Sequence, residues 1–455
     1  MIGKKMTAKT FTEESEKEQV QDDLSSAKVE TVEVSKLEAL KLKMQAKEQE
    51  AKMPAKIVAK KVRSYSLGVV GTGQAGSRLA EAFYKEGYDA VAINTATQDL
   101  KHIEIPDSNK LVLEGGPGGA SKSREVGRDL AIANADAISE LLSQKIKDSH
   151  VNILCSSLGG GSGSGSLEPL LALLQDQGKP IVVVAILPMN SEDAQAKNNA
   201  LEALGELARK VQDKTIANLL VVDNSKLELV FSHVNQIDFY RVANESIAKE
   251  IDIFNTLSAA SSPIKPLDSA EWGRLLVDSE GLSIFGSMDV PNYEEDTSIA
   301  EAVISNLDGS LLAEGFNLKQ TRFAGFMVVA SEATIKKIPS SAINYAADLL
   351  AEKCGQPKSV FKGIYCVDVP DGQVKVHTFL SGLGLPEKTV EHLKAEVASK
   401  MAMVKEKEES RNLTLTLDTG LTNNASATQK LKDKIAIKNS AFGKLLGGTV
   451  DRRKL

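Results

Sequence analysis

A chain of 455 residues exceeds what one hydrophobic core accommodates and implies two domains plus tails. Its 42% hydrophobic and 25% charged residues are those of a globular protein, and a net charge of −6 excludes a general attraction for nucleic acid. Three cysteines (Cys155, Cys354, Cys366) without metal-ligand spacing and five scattered histidines argue against a disulfide framework or a zinc centre, and a single Trp argues against stacking platforms for single-stranded nucleic acid.

Residues 1–63 are rich in Lys, Glu, Gln and Ser and open without the apolar run of a signal peptide. Such a segment buries too little surface to offset its ordering entropy, so a largely disordered extension is expected, or a helix over Val34–Met53, where Leu37, Leu40 and Met44 recur at spacings of three and four. From Ser64 the texture changes. Ser66–Val70 reads as a buried strand, Gly71–Gly76 as a turn, and the residues through Tyr84 as a helix. Ala90–Asn94 and Lys110–Glu114 are further strands, and one long helix is expected over Ser123–Lys145. Val151–Ser156 is a strand that ends at a glycine-rich loop, with a helix over Leu167–Gln177 and strands at Pro180–Leu187 and Asn218–Val222. Strands alternating with helices give a parallel, doubly wound α/β sheet covered on both faces.

Asp238–Leu257 is a long helix, after which Pro263, Pro266 and Gly281 punctuate a connecting region. A smaller second α/β unit follows, with apolar runs at Ala324–Ala330 and Lys362–Val367, and then a charged helix over Pro386–Glu409. Beyond Ser410 the chain is Thr/Asn/Ser-rich and then basic. No run reaches the length of a membrane span, so a cytoplasmic protein with no membrane partner is expected.

Two glycine clusters carry chemistry. Gly71, Gly73, Gln74, Ala75 and Gly76 form G-x-G-x-x-G between a strand and a helix, where glycines let backbone amides approach a pyrophosphate at a helix N-terminus. A dinucleotide reading, an NAD-binding oxidoreductase, needs an acidic residue at the end of the next strand; Asn94 and Thr95 stand there instead. The second cluster is Gly159, Gly160, Gly161, Ser162, Gly163, Ser164 and Gly165, where a strand turns into a helix. Glycines leave its amides unobstructed, and the hydroxyls of Ser162 and Ser164 can meet phosphate oxygens. A flexible linker does not sit between a buried strand and a helix. The cluster lacks the G-K-[ST] of a Walker loop.

Two phosphate loops from successive strand–helix units, without that lysine, resemble the tubulin/FtsZ superfamily, whose signature G-G-G-[ST]-G-[ST]-G is matched at every position of 159–165. The resemblance runs from Ser66 to about Pro386. It implies a GTP-binding domain over 64–237, a central helix over 238–259, a second domain with the catalytic loop over 260–385, a C-terminal helix over 386–410 and a flexible basic tail over 411–455. Asn94 to Leu100 resembles the N-T-x-x-Q-x-L loop, and Gly118, Gly119 and Ala120 belong to the loop that faces the γ-phosphate in the family. Glu192, after Leu187-Pro-Met-Asn, inherits the ribose contact; Ala196 stands where bacterial division members often carry an arginine. The resemblance further implies that Asn224 contacts guanine, that Tyr240 stacks on it, and that Asn244, four residues on, meets its Watson–Crick edge.

Catalysis falls, by the same resemblance, to the loop after the central helix, where Asp268 and Glu271 stand one turn apart and can polarise a water in the next subunit's site. Such a pair at a helix start also serves as a cap. A site shared between copies is a head-to-tail contact, which repeats into open filaments. GTP and GDP would be substrate and product, with Mg²⁺ on the phosphates. Short stretches at Gln98–Ile105, Asp223–Lys226 and Ser381–Pro386 look most like the TubZ branch, which moves plasmid or phage DNA. A basic tail from Lys430 to Lys454 would then meet a DNA-bound adaptor rather than DNA sequence directly. A cell-division or phage-centring filament is the alternative on the same fold.

Overall fold

The computed structural model describes residues 61–415, apart from 117, 263, 309 and 311. The expected helix at Val34–Met53 and the basic tail from Lys430 lie outside the described residues. In chain order the elements are β1 (Leu67–Thr72), α1 (Gly73–Lys85), β2 (Asp89–Asn94), α2 (Thr97–Lys101), β3 (Lys110–Val112), α3 (Arg124–Ala133), α4 (Ala135–Lys145), β4 (Val151–Ser157), α5 (Gly161–Gln175), β5 (Ile181–Leu187), α6 (Ala194–Gln212) and β6 (Asn218–Asp223). Then come α7 (Asn224–Val230), the central helix α8 (Gln236–Leu257), α9 (Ser269–Leu276), β7 (Gly281–Asp289), α10 (Ser298–Asp308), β8 (Phe323–Ala330), α11 (Glu332–Ile335), α12 (Ser340–Lys353), β9 (Ser359–Cys366), β10 (Val374–Leu383) and α13 (Glu387–Leu415). Described residues up to Lys400 form one compact unit.

One ten-stranded sheet runs through that unit in the order β3-β2-β1-β4-β5-β6-β7-β10-β8-β9. Strands β3 to β7 are parallel, as near-continuous apolar runs such as Ile181–Leu187 require when both faces are covered. β10 is antiparallel to both of its neighbours, β7 and β8. The order reverses between β1 and β4, which lie side by side in register from Leu67 opposite Val151 to Thr72 opposite Ser156. Ligands of open parallel sheets bind at such a reversal, beyond the carboxyl ends of the strands.

The sequence reading needs three corrections. The helix expected over Ser123–Lys145 breaks at Asn134, whose side-chain amide donates to the Leu130 and Glu114 carbonyls while its oxygen accepts from the Glu114 amide. That exchange ties the break to the end of β3. The region around Gly281 is not a connection but β7, the strand that joins the two halves of the sheet. And the second glycine cluster is mostly helix, since α5 begins at Gly161 rather than at Leu167.

The joint between the halves is held by few groups. Only Asn218 and Leu219 of β6 pair with β7. Asn218 is fully buried, donates to the Leu276 carbonyl at 2.9 Å, and accepts from the Ser283 hydroxyl at 2.8 Å. Nearby, Trp272 of α9 stacks on Phe254 of the central helix at 5.2 Å and meets Phe379 of β10 edge-on at 5.1 Å. The central helix is also tied to the first half ionically: Asp252 on α8 takes Lys61 and Arg63, both at 2.7 Å, and the Tyr88 hydroxyl at 2.8 Å. Asn218→Ala strips a carbonyl and a hydroxyl of their buried partner. It is expected to lower the free energy of unfolding by about 2 kcal/mol, read from urea denaturation, with Ser283→Ala costing about half as much.

Candidate functional site

At the reversal, β1 and β4 each hand the chain to a helix, and the N-termini of α1 and α5 open onto one cleft of about 330 Å³. The first amides of a helix have no partner within it, so each end presents N–H donors and roughly half a positive charge. Gly73, Gln74 and Ala75 come from α1, and Gly159, Gly160, Gly161, Ser162 and Gly163 from the β4–α5 turn. This is an anion cradle made of backbone.

Most of the glycines are fixed by close approach. Gly73 has a φ of +70° and lies so near the end of β4 and the start of α5 that a Cβ would fall 2.5 Å from the Ser157 hydroxyl and 3.0 Å from the Gly163 Cα. A Cβ on Gly163 would fall 2.3 Å from the Ser157 carbonyl oxygen, and one on Gly165 would fall 2.2 Å from that of Arg124. Gly127 of α3 meets Gly161 in the same way, at 2.1 Å. So α5 is wedged between β4 and α3 backbone to backbone, which sets where its first turn points.

The remaining expected residues divide cleanly. Asn94, Gly119, Ala120, Glu192, Asn224 and Tyr240 line the cleft. Asn94 is buried, donating to Asp99 at 2.9 Å and accepting from the Ala96 amide. The Glu192 carboxylate accepts from the Met189 amide at 3.1 Å, closing the Leu187–Glu192 turn on itself. Tyr240, opposite, has Arg78 over its ring at 4.9 Å and directs its hydroxyl to the Met189 sulfur.

Gly71, Gly76, Thr95, Gly118, Ser164, Gly165 and Asn244 do not line the cleft. Gly71 and Gly76 press on each other and on the Cys155 carbonyl behind it. Thr95 supports the wall from outside through its hydroxyl, 2.5 Å from that of Ser162. Ser164 is buried and bonds back to the Gly160 carbonyl, so its hydroxyl steadies the helix start instead of facing the cleft. Asn244 borders a neighbouring groove that it shares with Tyr240 and Arg78.

Asp268 and Glu271 also stand outside the cleft. They form a reciprocal capping box on α9: the Asp268 carboxylate accepts from the Glu271 amide at 2.8 Å and the Glu271 carboxylate from the Asp268 amide at 3.2 Å. The preceding residue is clamped by the Tyr365 hydroxyl, which donates to the Leu267 carbonyl and accepts from its amide, both at 2.9 Å. Burial lifts the Glu271 carboxyl above the ordinary glutamate range; the Asp268 charge adds to the lift and the hydrogen bond from the Asp268 amide opposes it.

Sequence reasoning passed over Arg78, Asp99, Ser121, Lys122 and Ser157, which also line the cleft. Arg78 was findable, since it stands four residues after Gln74 on the same helix face. Lys122 was not: it and Ser121 hold left-handed backbone (φ +63° and +45°) with no glycine to announce it.

Residues 66–231 match the model of the Tubulin/FtsZ family, GTPase domain. The chain is similar to the tubulin-like protein TubZ of Bacillus cereus, 21% identical over 379 residues that span 77% of this chain and 85% of the relative. It is also similar to the cell division protein FtsZ of Aquifex aeolicus, 25% identical over 76% of this chain and 90% of the relative. Its fold is that of the GTPγS-form protofilament of Bacillus thuringiensis serovar israelensis TubZ, with a TM-score of 0.68 at 22% identity, covering 77% of this chain and 95% of that one. CetZ2 from Haloferax volcanii, in its GTPγS-bound protofilament, superposes with a TM-score of 0.61 at 21% identity, over 75% of this chain and 99% of that one.

Gly163→Ala and Gly73→Ala, which force α5 and α1 off their seats, are expected to weaken binding of a fluorescent guanine nucleotide at least about tenfold, roughly 1.4 kcal/mol. Gly205, inside α6 with nothing within 4 Å, is the control. Gly205→Ala should leave binding unchanged and stabilise the fold by about 0.5–1 kcal/mol.

Proposed function

We propose, for a chain whose residues 66–231 are a Tubulin/FtsZ family GTPase domain, that its catalytic unit is a pair of copies joined head to tail in a filament. GTP hydrolysis needs both a phosphate cradle and a group to activate water. The observation that carries the proposal is that these lie apart in one copy: the cradle at the α1 and α5 termini, the Asp268–Glu271 pair on α9 outside the cleft. A neighbour's α9 brought over the cleft completes the site, and the same contact repeats along an open polymer.

In this reading the triphosphate lies on the two helix N-termini, Glu192 takes the ribose, and guanine sits against Asn224 and Tyr240. Asn244 approaches the base edge from the groove that Tyr240 also borders. Glu271 or Asp268 polarises the attacking water, while the amides stabilise charge spreading over the transferred phosphoryl group. Among the described residues no cluster of three or more His, Cys, Asp or Glu could hold a metal. A Mg²⁺ ion carried on the phosphates would neutralise their charge.

We further infer that the filament works on DNA. The resemblances at Gln98–Ile105, Asp223–Lys226 and Ser381–Pro386, and the basic residues from Lys430 to Lys454, support a polymer in the cytoplasm that segregates plasmid or phage DNA through a bound adaptor. The same fold serves FtsZ and CetZ proteins, so a division or phage-centring filament is the competing role; loss of adaptor recruitment on removing residues 429–455 separates the two. The dinucleotide reading of Gly71–Gly76 is given up, since the matched domain is a GTPase.

Asp268→Ala and Glu271→Ala are expected to slow phosphate release by about 10²-fold while light scattering still reports polymer with GTP. Mixing Asp268→Ala with a cradle-dead Gly163→Val copy should restore turnover, because each supplies what the other lacks; no recovery on mixing would place the carboxylates in their own copy's site. Hydrolysis needs the ionised carboxylate, so turnover should fall on acidification as Glu271 protonates, at a pH above the roughly 4.3 of free glutamate. A pH–rate profile of wild type against Glu271→Gln checks this.

A further inference from the structure

Lys197, in the first turn of α6, is 1% exposed, a burial that lysines reach only when their charge is paired. Its ammonium donates to the Asn190 carbonyl at 2.8 Å and pairs with Glu396 of α13. One turn further along α13, Lys400 donates to the same Asn190 carbonyl at 2.8 Å and to the Glu192 carbonyl. One turn back, the His392 ring lies 3.2 Å from the Asn190 side-chain oxygen. Two lysines, Lys197 and Lys400, thus hold the backbone of residues 190–192, while Glu396 pairs with Lys197 and His392 meets the Asn190 side chain.

That stretch carries Glu192. Its carbonyl faces the lysines on the outer side, while its carboxylate accepts from the Met189 amide and lines the cleft on the inner side. A tight turn held at the Asn190 and Glu192 carbonyls by charge-assisted hydrogen bonds has little freedom to swing its side chain. The other buried residues of this part of α6 are apolar (Ala196, Ala200, Ala203, Leu204) apart from Asn199, which bonds to the Lys122 and Gly159 carbonyls rather than to Lys197. Burying Lys197 is costly, and what it holds is the nucleotide-facing turn.

We propose that Lys197 and Lys400, secured by Glu396, are positioning residues that aim the Glu192 carboxylate into the cleft, so that the C-terminal helix sets how strongly the site recognises ribose. The inference rests on the assignment of Glu192 to the ribose. It makes α13 part of the nucleotide site although none of its residues lines the cleft.

The test uses the full chain with GDP and 2′,3′-dideoxy-GDP, titrated calorimetrically, since diphosphates avoid assembly. Wild type should bind GDP about tenfold more tightly than the dideoxy analogue, as one charge-assisted hydrogen bond provides. Glu192→Ala should abolish that ratio. Lys400→Gln and Glu396→Gln should bring it most of the way down, leaving the dideoxy affinity unchanged, and Lys400→Arg should restore it. A merely structural role would weaken both ligands together. If Glu192→Ala abolishes the ratio while Lys400→Gln and Glu396→Gln leave it intact, the positioning role is overturned and the ribose assignment stands. If Glu192→Ala itself leaves the ratio intact, the ribose assignment fails and the positioning role with it. Lys400→Gln alters a partly exposed side chain, so the comparison survives even if Lys197→Met does not fold.

Discussion

Everything in this molecule depends on two adjacent parallel strands inside the sheet whose onward connections lead to opposite sides. β1 and β4 are neighbours in register, yet β1 leads towards β2 and β3 while β4 leads towards β5 and β6. The helices that follow them therefore start side by side. Two sets of helix N-terminal amides face one volume, where Arg78 and Lys122 also line the wall. The condition is that the backbones come close enough, which is why glycine recurs. At Gly163 and Gly165 any Cβ would strike a carbonyl oxygen of β4 or α3, so the phosphate cradle and the helix packing are one constraint expressed twice.

The second half of the sheet extends this arrangement by a narrow joint. Two residue pairs link β6 to β7, and the buried Asn218 supplies hydrogen bonds that the short ladder lacks. Around it, Phe254, Trp272 and Phe379 bring the central helix, α9 and β10 into one aromatic cluster. The helix that follows the Asp268 loop is thereby packed, through Trp272 on Phe254, onto the helix that also carries Tyr240 towards its opposite end.

How much of this the sequence discloses follows from what each residue type announces. Apolar runs such as Ile181–Leu187 declare buried parallel strands, and a seven-residue glycine–serine cluster declares a backbone cradle. β7 stayed hidden because Gly281 and Gly286 look like breakers. In the fold Gly281 packs against the Gly382 backbone, and Gly286 against Asn306, where a Cβ would fall 2.7 Å and 2.2 Å away. Asn134 looked like an ordinary helix residue because its partner, the Glu114 backbone, is remote in sequence. Lys197 was invisible for a related reason: a lysine is read as solvated until a second helix, here α13, is seen to cover it. Where function rests on side chains whose partners are far along the chain, local pattern carries no trace of them.

The capping box at the start of α9 has a consequence for how this chain can change over time. Asp268 and Glu271 accept hydrogen bonds from each other's backbone with the very oxygens that the proposed chemistry would use. An amide in place of either carboxylate preserves the cap and so leaves the helix start intact, because Asn and Gln also accept from backbone N–H groups. Folding therefore exerts no pressure to retain the acids. A lineage relieved of the need for turnover could drift to a silent form by a single-base change, still folding and still assembling. Mixed into a population of active copies, such a form would act as a dominant brake, each inert subunit stalling the one neighbour whose cleft it covers.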